Sequence, residues 1–124
     1  MKRIESLKPN QVFVFGSNAN GYHIGGAARQ AYDHFGAIWG QAGGMQGQSY
    51  GIITLDENMR KVPLDYIGRQ LQALNLQAKA MPKKEFLLTL IGCGIAGFSI
   101  EEIKSESIKI DWNYNVVVPD EFKD

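Results

Sequence analysis

The run Val12-Phe13-Val14-Phe15 constrains this chain more than any other feature. Four β-prone residues in a row, all apolar, leave no polar side to face water. A strand built from them must be covered on both faces, as in a parallel sheet flanked by helices. The rest of the chain supplies such helices. Ile24, Ala28, Ala31 and Phe35 recur at spacings of four, three and four and form one helix face, with Gly36 placed to end it. Leu64, Ile67, Leu71, Leu74, Ala78 and Met81 alternate threes and fours between Pro63, suited to a helix start, and Pro82, which stops it. Ser99-Ile100-Glu101-Glu102 is a capping box, and Phe98 before it is placed to pack on Ile103. This helix is expected to run from about Ile100 to about Lys109.

Three further apolar segments read as strands: Tyr50 to Leu55, Phe86 to Ile91, and Asn115 to Pro119. Residues 37 to 49, rich in Gly, Gln and Ser, read as a long loop or a pair of turns. The expected order is therefore β-α-β-α-β-α-β. It predicts a three-layer α/β/α sandwich with a mixed, mostly parallel sheet. No linker or repeat divides the chain, and 124 residues suit a single domain spanning 1–124. Apolar residues at 44% and charged residues at 21% exclude a disordered polymer.

Thirteen basic residues balance thirteen acidic ones. Nucleic-acid and membrane-surface proteins usually carry a basic excess, so neither partner is expected. One cysteine excludes an internal disulfide framework, and two histidines cannot complete a metal site alone, so no metal is expected. Met1 to Ser6 carries charge but no apolar segment, which is unlike a signal peptide. No stretch approaches the 18 or so apolar residues of a membrane span. The expected location is the cytoplasm.

Glycine is the outlier: nine of the 14 lie between Gly16 and Gly47. In an α/β sheet of this kind, right-handed crossovers put the strand-to-helix loops on one side, where ligands bind. Two glycine loops fall there, 16–25 and 92–98. The first holds Ser17, Asn18, Asn20, Gly25 and Gly26. Its glycines allow close backbone approach, the next helix offers free amides and a dipole that favours an anion, and the Asn amides suit ribose hydroxyls. The second, Gly92-Cys93-Gly94-Ile95-Ala96-Gly97-Phe98, can form a nest of amides. Gly-rich turns also serve merely to shape tight connections. The first loop is neither a Walker loop, since its closing Lys-[Ser/Thr] is missing, nor a G-x-G-x-x-G fingerprint. Two such loops at one sheet edge can clamp a diphosphate, held mainly by amides because neither carries Lys or Arg.

Phe15-Gly16-Ser17-Asn18, Gly25-Gly26-Ala27-Ala28 and Ile91 to Phe98 together resemble macro domains. The resemblance spans residues 12 to 122. It lies nearest to a small group of macro-domain-like proteins, partly phage-encoded, which also shares Gln46-Gly47-Gln48-Ser49-Tyr50. It implies an ADP-ribose site, with the second loop around the diphosphate and distal ribose, and no cofactor. Phe15 replaces the first Asn of the family's Asn-Ala-Ala-Asn, and the family's adenine-binding Asp has no exact counterpart, although Glu5 lies near its position. The diphosphate-ribose half is what carries over.

Catalysis is the open question. Asp56, after the second strand on the ligand side, is the best-placed carboxylate for activating water, though turn chemistry is the more common role for a residue so placed. His23 can contact a phosphate or act as a general acid across the cleft from Cys93, but residues so placed are more often simply exposed. Cys93 reads as a small buried hydrophobe rather than a nucleophile. His34 reads as a helix-end residue. Trp39 and Tyr50 can stack on a base, though aromatics beside strands are usually core. Three functions follow: a binding module for ADP-ribose, a related nucleotide diphosphate or an ADP-ribosylated target; an ADP-ribosyl hydrolase on the same site; or a non-catalytic interaction protein with a degenerate cleft.

Overall fold

The computed structural model describes all 124 residues. Strand β1 (Gln11–Asn18) is followed by helix α1 (Gly26–His34) and an antiparallel pair, β2 (Gly44–Gln46) and β3 (Ser49–Leu55). Helix α2 (Leu64–Ala80), strand β4 (Glu85–Leu88), helix α3 (Ile100–Ser107), strand β5 (Val116–Val117) and a 3₁₀ turn at Asp120–Phe122 complete the chain. The five strands form one mixed sheet in the order β2-β3-β1-β4-β5. All its pairs are parallel except β2 with β3.

Side chains alternate across a strand, and β1 uses both sides as its sequence demands. Val12 and Val14 join a core with Ile67, Leu71 and Leu74 of α2 and Ile103 of α3. Phe13 and Phe15 join a second core with Ala28 and Ala31 of α1 and Phe35. The sheet is thus covered by α1 on one face and by α2 and α3 on the other. Burying Phe13 and Phe15 is worth about 2–3 kcal/mol each in transfer free energy.

Four details depart from the sequence reading. Residues 37 to 49 contain the edge strand β2, whose three residues show no apolar alternation. Ile24 does not join the buried face of α1; it is 62% exposed. The third and last strands are short, because pairing ends at Leu88 and Val117. Helix α3 ends at Ser107 rather than Lys109. The Gln46 to Tyr50 stretch is structural. Buried Gln46 accepts the Ile38 amide at 2.8 Å, Gln48 donates to the carbonyls of Lys8 and Gln11, and the Ser49 hydroxyl donates to the Phe35 carbonyl at 3.0 Å. The Gln46 and Ser49 bonds fasten the β2–β3 hairpin to the segment that ends α1, and the Gln48 bonds fasten it to the start of β1.

The chain leaves β1 towards the face that holds α1, while the segment after neighbouring β4 turns to the face that holds α3. Adjacent parallel strands whose connections diverge in this way open a crevice at their carboxyl ends, the usual ligand position in such sheets. No helix is long and apolar enough to cross a membrane.

Candidate functional site

The crevice is a cleft of about 470 Å³, within the roughly 300–1,000 Å³ of small-molecule sites. The first glycine loop lines it with Gly16, Ser17, Asn18, Tyr22, Ile24, Gly25 and Gly26, and the second with Gly92, Gly94, Ile95 and Ala96. Thr54, Leu55 and Met59 complete one wall, and Thr89 and Leu90 the floor between the loops. Ile95 reaches across to the first loop, so that a Cβ on Gly25 would lie 3.6 Å from its Cδ1.

The backbone dominates this site. No side chain caps the N-terminus of α1. The amides of Gly26, Ala27 and Ala28 donate to no group of the protein, and neither do those of Gly94, Ile95 and Ala96. All six residues line the cleft. Gly26 has φ 59° and nothing within 4 Å of where a Cβ would stand, so its surface is open to a ligand. Gly92 has φ 76°, and a Cβ there would press on Phe98 at 3.1 Å and Ile103 at 3.2 Å. That close approach seats the second loop against α3. The predicted capping box is formed: the Ser99 hydroxyl accepts the Glu102 amide at 3.1 Å, and the Glu102 carboxylate accepts the Ser99 amide at 2.9 Å. It fixes the far end of the same loop.

The remaining sequence candidates have other roles. Both ends of the Asn18 amide are used internally: Nδ2 donates to the Tyr22 carbonyl at 2.8 Å, and Oδ1 accepts the Tyr22 amide at 3.0 Å. Asn18 braces the loop. Asn20 lies outside the cleft and donates to the Glu57 carbonyl at 3.1 Å, tying the first loop to the turn after β3. Asp56 builds that turn, its Oδ1 accepting the amides of Asn58 and Arg60 at 2.9 and 3.0 Å, and it does not line the cleft.

His23 requires correction. It is neither exposed nor across the cleft from Cys93. Its ring is fully buried, edge-on to Phe15 at 5.3 Å, with Nε2 bonded to the Ile38 carbonyl at 2.9 Å. Tyr50 is core, as aromatics beside strands usually are, but Trp39 is not: it is half-exposed and stacked on Tyr22. Cys93, Gly97 and Phe98 belong to the second loop but lie outside the cleft lining. Burial pushes the Cys93 thiol up, and the nearby Glu102 carboxylate pushes it further. Both effects oppose a thiolate nucleophile.

No acidic, basic or histidine side chain lines the cleft. Lys61 stands beside the second loop, its Nζ 5.0 Å from the centre of the Phe98 ring and its stem placed to touch a Cβ on Gly97. Sequence reasoning missed Tyr22, Met59 and Thr54 as cleft residues. Tyr22 lies within the first glycine loop, but its neighbours Asn20 and His23 do not line the cleft, so position in the loop alone did not single it out. Comparison with protein-family models, with curated proteins and with solved structures finds no match to this chain.

Proposed function

We propose that the chain is a macro-domain-like binding module for ADP-ribose or a related nucleotide diphosphate, free or attached to a target. The carrying observation is the set of six unpaired amides, three at the start of α1 and three in the second glycine loop, lining one cleft. Unpaired donors on two sides suit a diphosphate, whose oxygens can accept from both at once. The α1 dipole adds an attraction of about 0.3–1 kcal/mol for each anionic charge near its end. The rigidity of the loops, fixed by the Asn18 bonds and the Ser99–Glu102 box, lowers the ordering cost on binding.

A binding role is favoured over hydrolysis because general acid–base catalysis needs a titratable side chain within hydrogen-bond reach of the reacting group. No carboxylate, histidine or amine lines the cleft, whose single titratable side chain is the Tyr22 phenol, and Asp56 and His23 are committed elsewhere. The test is calorimetry and thermal shift with ADP-ribose, ADP, pyrophosphate and free ribose. The first three are expected to bind and raise the melting temperature, and ribose to have no effect. An ADP-ribosylated peptide is expected to remain intact on incubation. Absence of binding by all the diphosphates would refute the reading, and brisk release of ADP-ribose would refute its non-catalytic half.

A further inference from the structure

We propose that Tyr22, backed by Trp39, is a stacking platform for a heteroaromatic ring carried by the ligand, so that the cleft selects nucleotides over bare diphosphates. The inference rests on the diphosphate reading above and assigns the next part of the same ligand.

Tyr22 is the only aromatic residue lining the cleft, and it lies four residues before Gly26, where the unpaired amides begin. The residue is 48% exposed. One side of its ring is occupied: Trp39 stacks on it with centroids 5.6 Å apart and planes 16° apart. Trp39 does not line the cleft, so the indole supports Tyr22 from behind. The indole is itself held, edge-to-face, by Tyr32 at 5.6 Å and by buried His23 at 6.3 Å. His23 in turn leans on Phe15 of the central strand. The platform is therefore anchored in the core of the domain.

Its backbone is anchored as well. Asn18 bonds both the amide and the carbonyl of Tyr22, and Gly40, beside Trp39, donates its amide to the Gly21 carbonyl at 2.9 Å. One half-exposed ring at the cleft, kept in register by a second ring stacked on it, presents a flat surface of fixed orientation. Sequence-tolerant base stacking uses such a surface. On the same cleft, Met59 is 46% exposed and held at φ 60°, an uncommon backbone for a non-glycine residue. It lines the cleft with Tyr22, and sulfur packs well on aromatic rings. Both Tyr22 and Met59 belong to segments joined by the Asn20–Glu57 bond. A base one sugar away from phosphates at the Gly26–Ala28 amides is the occupant that satisfies both the amides and the ring.

The experiment compares ADP-ribose with inorganic pyrophosphate on wild type, Tyr22→Ala and Tyr22→Phe by calorimetry. Tyr22→Ala is expected to weaken ADP-ribose about tenfold, within the stacking range, and to leave pyrophosphate unchanged. Tyr22→Phe keeps the ring and is expected to bind both as wild type does. ADP-ribose is expected to quench tryptophan fluorescence where pyrophosphate does not, and the quenching to vanish in Trp39→Phe. Equal binding of ADP-ribose by wild type and Tyr22→Ala would overturn the platform. Equal weakening of both ligands would also overturn it, by making Tyr22 a residue that shapes the loop. If wild type bound pyrophosphate but not ADP-ribose, the platform alone would fall. If wild type bound neither, the amide reading and the platform would fall together.

Discussion

The proposed anion site is tested most cleanly at Gly94. A glutamate at Gly26 would place negative charge at the start of α1, but Gly26 has φ 59°, where any side chain adds backbone strain. Gly94 lacks this problem: its φ lies outside the left-handed region, and a Cβ there meets nothing within 4 Å. Gly94→Glu is therefore expected to change stability by no more than about 0.5 kcal/mol, as for an open surface position. Its carboxylate would stand close to a phosphate held by the amides of residues 94–96, and a separation of about 6 Å serves for the Coulomb estimate. At an effective dielectric constant of about 20, two unit charges at that separation repel by about 2.8 kcal/mol, and salt screening roughly halves this. Affinity for ADP-ribose should fall by about tenfold to a hundredfold. Gly94→Gln, of the same size without the charge, should retain most of the affinity. Calorimetry of the three proteins at two salt concentrations separates charge from bulk. Equal affinity for the Glu and Gln variants would refute the placement of phosphate at the second loop.

Ser99→Ala removes the N-cap of α3 and should cost about 1 kcal/mol in urea unfolding; no loss would contradict the capping geometry. The hydrogen bond from the Ser99 amide, foremost, holds the Glu102 carboxylate below its ordinary range, with Ser99's hydroxyl and Lys61 adding to it. A depressed carboxylate stabilises the fold above its unfolded value and loses that effect as pH falls through the lower folded one. Wild type should therefore lose stability below about pH 4.3, with Glu102→Gln showing a flatter decline; parallel melting curves from pH 6 to 3 for the two proteins would refute this. The raised Cys93 thiol should react slowly with a disulfide reagent at pH 7.5, and Glu102→Gln should speed the reaction; rapid wild-type labelling would overturn the assignment.

The fold was legible where one segment carried its own instruction. Val12 to Phe15 demanded cover on both faces and received it from α1 on one side and from α2 and α3 on the other. Ser99 and Glu102 specified a cap by spacing alone, and the cap is formed. What was illegible depended on partners distant in sequence. Pro82 follows the end of α2, but the carbonyls of Ala78 and Met81 are satisfied by the side chain of Asn115, which also takes that of Lys84. Nothing near residue 80 announces an asparagine 34 to 37 positions onward. Strand β2 escaped notice because three residues, one of them glycine, pair only through the hairpin. The same division runs through the cleft. Glycine loops at strand ends were readable as a position, whereas the duties of Asn18, Asn20, Asp56 and His23 were set by neighbours in space.

Those duties explain how a site without charged side chains keeps its shape. A polar residue in a strand-to-helix loop can serve a ligand or serve the loop, and one amide rarely does both. Here Asn18 spends its donor and acceptor on Tyr22, Asn20 reaches the turn that Asp56 builds, and His23 ties the loop to Ile38. The side chains hold the backbone, which leaves the backbone amides as the unpaired donors of the cleft. Amides fixed in this way need little reorganisation when an anion arrives, so modest individual bonds add with little entropic loss. The proposed aromatic platform follows the same logic, since Tyr22 is positioned by the asparagine that sequence reading assigned to ribose. The residues most suggestive of chemistry in this sequence thus act through the geometry they impose on glycine, alanine and tyrosine.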